Sequence, residues 1–151
     1  MSAAIALQPL IQANIMPLQS KGMLGFCRNQ RGLFQQYAAH NFSYPAFATR
    51  TGRATKPLQT PYDMLCYNAL YAPSHYTLFS ALLDEVDFSL CTKPLKIFDY
   101  GCGQGLASLS VLERLRNFSA AIELHLVELS QPAILLQNNM LQVMRQPMDC
   151  S

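Results

Sequence analysis

Leu95-Lys-Ile-Phe-Asp-Tyr100-Gly-Cys-Gly-Gln-Gly105 runs a short, mostly apolar segment directly into glycines at every second position. An apolar run that stops at Gly101 predicts a β-strand over Leu95–Tyr100. Downstream, Leu106, Leu109, Leu112 and Leu115 recur at three-residue spacing, so a helix is expected over Gly105–Arg116. Ala121–Val127 (AIELHLV) reads as a second strand. Ser130 then caps a last helix, with Pro132 in its first turn and Ile134–Val143 behind it. Two strands joined by a helix across about 20 residues make a right-handed βαβ unit with a parallel pair. The expected class is α/β.

Upstream of this unit, Thr60 is a good N-cap, Pro61 fits the first helical position and Asp63 sits where a capping-box acid belongs. A helix from Pro61 to about Tyr71 follows, and Pro73 is expected to interrupt it. Ser74 caps a second helix, His75–Val86, with Leu78, Phe79, Leu82, Leu83 and Val86 on one face. Asp84, Glu85 and Asp87 crowd its C-terminal end, where the helix dipole disfavours anions. Residues 1–59 show no sustained period. A short helix is expected around Arg31–Ala39, and Arg50–Pro57 (RTGRATKP) reads as an exposed basic linker. The chain divides accordingly into a basic, irregular N-terminal arm, 1–59, and a helical lead-in with the α/β unit, 60–151.

Composition narrows the classes further. Half of the 151 residues are apolar and 13% are charged, which excludes wholesale disorder. The longest unbroken apolar run is Ala3–Leu7, too short to cross a membrane, and the first Lys or Arg is Lys21, which argues against a signal peptide. A cytoplasmic protein without a membrane partner is expected. Residues 1–60 carry six cations (Lys21, Arg28, Arg31, Arg50, Arg53, Lys56) and no acid, whereas residues 61–151 carry five cations and nine acids. The basic front reads first as a solvated arm and second as a contact for nucleic-acid phosphates. Cys27, Cys66, Cys91, Cys102 and Cys150 are odd in number and contain no CxxC pair, which argues against a zinc ribbon or a secreted disulfide framework. No metal is expected, and the sequons at Asn41 and Asn117 are read as chance.

The glycine loop carries the chemistry. Alternating glycines let the backbone turn sharply and approach a ligand without Cβ obstruction, and the helix behind them offers unpaired N–H groups. The spacing is GxGxG, with Leu106 where a dinucleotide fingerprint needs its third glycine, and no Gly-Lys-Ser/Thr ending marks a phosphate loop. Glu128 closes the second strand, 23 residues after Gly105. A carboxylate at that tip can accept hydrogen bonds from both hydroxyls of a ribose, with its side chain in the ligand crevice rather than the core. The expected ligand is a nucleoside without a pyrophosphate.

KIFDYGCGQG followed by LHLVELS resembles the class I S-adenosylmethionine-dependent methyltransferases, whose first motif is an acid, one spacer and GxGxG. The resemblance covers roughly Leu95–Val143, about a third of the chain. It implies that Asp99, Gly101, Cys102, Gly103, Gln104 and Gly105 pass under the methionine portion of the cofactor, with Asp99 near its amino group. It further implies that Glu128 holds the ribose and that Leu129 lies beside the adenine. The family fold is a seven-stranded sheet, and five more strands need on the order of 100 further residues. No NPPY- or DPPY-type motif occurs. The expectation is therefore a truncated Rossmann-like methyltransferase fold, the front part of such a domain. It binds S-adenosylmethionine, and its methyl acceptor and catalytic residues are not readable. Two alternatives stand beside it: a non-catalytic interaction module whose open sheet edge is covered by a partner chain or an oligomer, and an RNA-binding protein using the basic arm. His75 and Tyr76, in a cluster with Tyr62, Tyr67 and Tyr71, read as packing residues first and as a lid second. His125 and the scattered methionines read as structural, and Cys102 is not needed as a nucleophile.

Overall fold

The computed structural model describes residues 5–53, 55–118 and 120–144. Cys150, Ser119 of the second sequon, and the start of the Ala3–Leu7 run lie outside them. Leu95–Tyr100 forms β1 and Ile122–Val127 forms β2. The strands pair in parallel, with Leu95 opposite Ile122 and Tyr100 opposite Val127. Helix α4 (Leu106–Arg114) connects them, and α5 (Gln131–Met144) follows. Ser130 Oγ accepts from the Ala133 N–H at 3.2 Å, as an N-cap should. The molecule is mixed α/β and mostly helical, with a two-stranded parallel sheet among the described residues.

The described part of residues 1–59 is largely helical, where an irregular arm was expected. Helix α1 spans Leu7–Tyr37 and is broken at Gly22, whose φ of 62° and ψ of −158° are not helical. An unbroken helix would hold residues 16 apart at about 24 Å. Instead Asn29 Nδ2 donates to the Ala13 carbonyl at 3.0 Å and Gln30 Nε2 donates to Asn14 Oδ1 at 2.7 Å. The two halves therefore fold back on each other as a helical hairpin with its turn at Gly22. The Asn29 bond also satisfies the carbonyl that Pro17, lacking an N–H, leaves unpaired one turn earlier. Leu10, Ile11, Leu18, Met23 and Phe26 from this hairpin are buried with Met64, Leu65, Leu109, Leu136 and Met140 in one core. The pattern hides from periodicity because the helix reverses at Gly22 and because Asn14 and Gln30 are buried polar residues on its inner faces.

The expected basic linker, Arg50–Pro57, begins inside a helix, and its cations Arg50, Arg53 and Lys56 are exposed as expected. Helix α2 (Tyr44–Thr51) starts at the Ser43 cap and ends at Gly52, a left-handed C-cap with φ 58°. Helix α3 runs unbroken over Pro61–Asp84, where two helices were expected. Pro73 is exposed, so the helix loses one backbone bond there without forcing its ring into the core. Thr60 and Asp63 form the expected cap: the Asp63 N–H donates to Thr60 Oγ1 at 3.1 Å and Thr60 Oγ1 donates to Asp63 Oδ2 at 2.8 Å. Asp63 also takes Arg50 at 2.5 Å, which ties α2 to α3. Two of the three acids around the end of α3 have partners: Asp84 pairs with Arg114 at 2.9 Å, and Asp87 accepts from the Ser89 N–H at 2.9 Å.

One face of the sheet carries Leu124 and Leu126 against the helical core. The other carries Phe98 and Tyr100, 56% and 75% exposed, with His125 stacked on Phe98 at 4.5 Å between ring centres. Among the described residues the helices thus cover one face only, and the parallel pair keeps an open second face.

Candidate functional site

The carboxyl ends of β1 and β2 open into a cavity of about 670 Å³. Ligands of open α/β sheets bind in this crevice because the loops and helix N-termini converge there. Its floor is the loop Gly101–Gly103 and its strand-tip wall is Asp99, Val127 and Glu128. Tyr67, His75 and Phe79, at successive spacings of eight and four residues along α3, form the aromatic wall. The rim is a strap, Thr55–Leu58, that enters from the N-terminal part of the chain.

The loop is held by the second strand. The Gly101 and Cys102 N–H groups both donate to the Val127 carbonyl, at 2.7 and 3.2 Å. Gly101, Gly103 and Gly105 have φ of 67°, 52° and 81°, left-handed values that side chains with a Cβ seldom adopt. Their surroundings differ. A Cβ on Gly101 would meet nothing within 4 Å, and on Gly103 only the Gly101 carbonyl at 4.0 Å, so both face open space. A Cβ on Gly105 would stand 2.5 Å from the Gln137 side chain. Gly105 therefore serves helix packing rather than the floor of the cavity.

Both carboxylates are engaged. Asp99 Oδ2 accepts the Ser108 hydroxyl from the first turn of α4. Glu128 Oε2 accepts the Gly103 N–H at 2.8 Å, and its Oε1 accepts the N–H groups of Leu129 and Ser130 at 2.7 and 2.8 Å. The half-buried Glu128 thus fixes the glycine loop against the tip of β2 as well as facing the cavity, a structural duty the sequence does not announce. Leu129 is 81% exposed at the mouth.

Of the residues expected at the site, Asp99, Gly101, Cys102, Gly103, Glu128 and Leu129 line the cavity. Gln104 and Gly105 do not. Gln104 is buried and turned to α3, accepting from Asn68 Nδ2 at 2.9 Å and donating to the Met64 carbonyl at 3.1 Å. Cys102 donates its thiol to Gln137 Oε1 at 3.1 Å. Burial, and then the neighbouring Asp99 and Glu128, push that thiol up to about 11, so it stays protonated near neutrality. His75 lines the cavity and stacks on Tyr71, whereas Tyr76 turns away and donates to Glu113 at 2.9 Å. Sequence reasoning missed the strap. Its anchor is the Ser130 hydroxyl, which donates to the Leu58 carbonyl, and the only sequence signal for it is the buried Leu58 inside a polar stretch. Among the described residues, no group of three or more His, Cys, Asp or Glu could hold a metal ion. Compared with family models, with curated proteins and with solved structures, the chain has no match in any of the three.

Proposed function

We propose that the chain binds S-adenosylmethionine in this cavity and is the front, cofactor-binding part of a Rossmann-like methyltransferase domain. The observation that carries the reading is the joint presence, around one cavity, of two open left-handed glycines and the strand-tip acids Asp99 and Glu128. The residues fit the cofactor. Space that a Cβ would enter lies free above Gly101 and Gly103, so a ligand can lie directly on the backbone. Asp99 supplies negative charge for an amino group, and Glu128, with three of its acceptor sites taken by backbone N–H groups, keeps one on Oε2 for a ribose hydroxyl. Tyr67, His75 and Phe79 shield the cavity from water on the α3 side. S-adenosylmethionine brings an activated sulfonium methyl and a neutral thioether leaving group, so the protein's share is positioning and desolvation. Calorimetric titration with S-adenosylhomocysteine tests the reading. Micromolar binding supports it, and absence of binding in a folded sample overturns it.

A second reading is favoured by the sheet. Phe98, Tyr100 and Val127 leave an apolar strip exposed on the face away from the helices. A non-catalytic module that associates through this strip would bind no cofactor and would change its oligomeric state when Phe98 is replaced by a charged residue.

A further inference from the structure

We infer that Lys56 is the specificity residue that makes the cavity select ligands bearing a carboxylate, an inference that rests on the S-adenosylmethionine reading above. The charged groups lining the cavity are unevenly engaged. Glu128 accepts three backbone N–H groups and Asp99 accepts a hydroxyl, so neither calls for a protein cation. Among the described residues Lys56 is the only Lys or Arg in the lining and forms no ion pair, unlike Arg50, Lys96 and Arg114.

The backbone that carries it is nevertheless fixed. The Lys56 N–H donates to the Thr51 carbonyl at 3.1 Å, and Thr55 bonds the Gly52 carbonyl through its N–H at 3.2 Å and its hydroxyl at 2.6 Å. The stem of Lys56 lies over Gly52: a Cβ on that glycine would come within 3.1 Å of Cγ and 3.4 Å of Cδ. At its other end the strap is held by the buried Leu58, whose carbonyl takes the Ser130 hydroxyl. A strap held at both ends brings Lys56 to the rim of the cavity, with its ammonium free of an ion pair among the described residues. Two carboxylates on the strand-tip wall and one lysine on the rim suit a ligand end that carries both a cation and an anion. The amino-acid end of S-adenosylhomocysteine does so, whereas its decarboxylated analogue keeps only the cation.

The test is calorimetry of the full chain, as parent, Lys56→Gln and Lys56→Arg, with S-adenosylhomocysteine and with its decarboxylated analogue. Lys56 is exposed, and unchanged melting temperatures verify that all three proteins are folded alike. The parent is expected to bind the carboxylate-bearing ligand about tenfold more tightly than the analogue. Lys56→Gln should bind both equally, at the parent's affinity for the analogue, and Lys56→Arg should restore the preference. If the parent binds both ligands alike, or if Lys56→Gln keeps the preference, the role of Lys56 is overturned while the cofactor reading stands. If the folded parent binds neither ligand, both are overturned.

Discussion

At the scale of residues, Glu128 shows how one side chain takes two duties. Its carboxylate is a ligand-facing acceptor and also the clasp that holds Gly103 to the tip of β2. In Glu128→Gln the single carbonyl oxygen can still accept from Leu129 and Ser130, but the amide –NH₂ then opposes the Gly103 N–H. Affinity for S-adenosylhomocysteine should fall by about 1.5–3 kcal/mol, roughly ten- to 150-fold. Stability should fall too, by about 1–2 kcal/mol in denaturant unfolding, because the clasp on Gly103 is lost. Gly103→Val should abolish binding, since its branched side chain fills the open space above the loop; a parent-like affinity in calorimetry would exclude the loop as the floor. The thiols give a pH signature. Burial, the leading cause, raises Cys27 to about 12 and Cys66 to about 11 from 9.0. A raised folded-state value favours the protonated form, so the stabilisation is complete below about pH 9 and is lost as pH rises toward 11 or 12. Cys102, raised to about 11, acts in the same direction, and denaturation midpoints should accordingly be lower at pH 10.5 than at pH 8, by on the order of 1–3 kcal/mol in free energy. Asp99, Gly101, Gly103 and Glu128 were legible because a turn of φ near +60° and a strand-tip acid leave direct marks in sequence. Gln104 was not, since its inward turn depends on the position of Asn68 across the core.

At the scale of elements, α4, α5 and both strands follow from local pattern, because each buries one face and begins at a recognisable cap or glycine. Helices α1 and α3 do not. Pro73 reads as a breaker, yet on an exposed face it costs a single backbone bond. Helix α1 reads as irregular because its reversal at Gly22 resets the phase of its apolar residues. That reversal has its own anchor: Glu113 on α4 accepts the Met23 N–H at 2.7 Å through Oε1 and the Tyr76 hydroxyl through Oε2. A carboxylate at the start of the second half of the hairpin satisfies an orphan N–H and the positive helix end together. A Cβ on Gly22 would collide with this carboxylate in a backbone conformation that already disfavours side chains. Gly22→Ala should therefore destabilise the protein by about 2–4 kcal/mol, read as a lower thermal midpoint by circular dichroism. An unchanged midpoint would mean that the hairpin turn lies elsewhere.

At the scale of the whole molecule, the helical N-terminal part and the α/β unit share one core. Residues 1–59 supply Leu10, Ile11, Leu18, Met23, Phe26 and Phe47 to it, so their deletion should abolish cooperative unfolding of the remainder rather than leave it intact. A sharp two-state transition in the truncated protein would contradict this. The same packing builds the cavity, since the strap and α3 bring Lys56 and the aromatic wall to a crevice defined by β1, β2 and the glycine loop. The measurement that bears most directly on the central claim is titration of the isotope-labelled chain with S-adenosylhomocysteine, followed by amide chemical shifts. Saturable shifts concentrated at Gly101, Cys102, Gly103 and Leu129, with the helical hairpin unmoved, are the predicted result. Saturable shifts confined to the hairpin or to the exposed face of the sheet, or none at all at millimolar ligand, would contradict it.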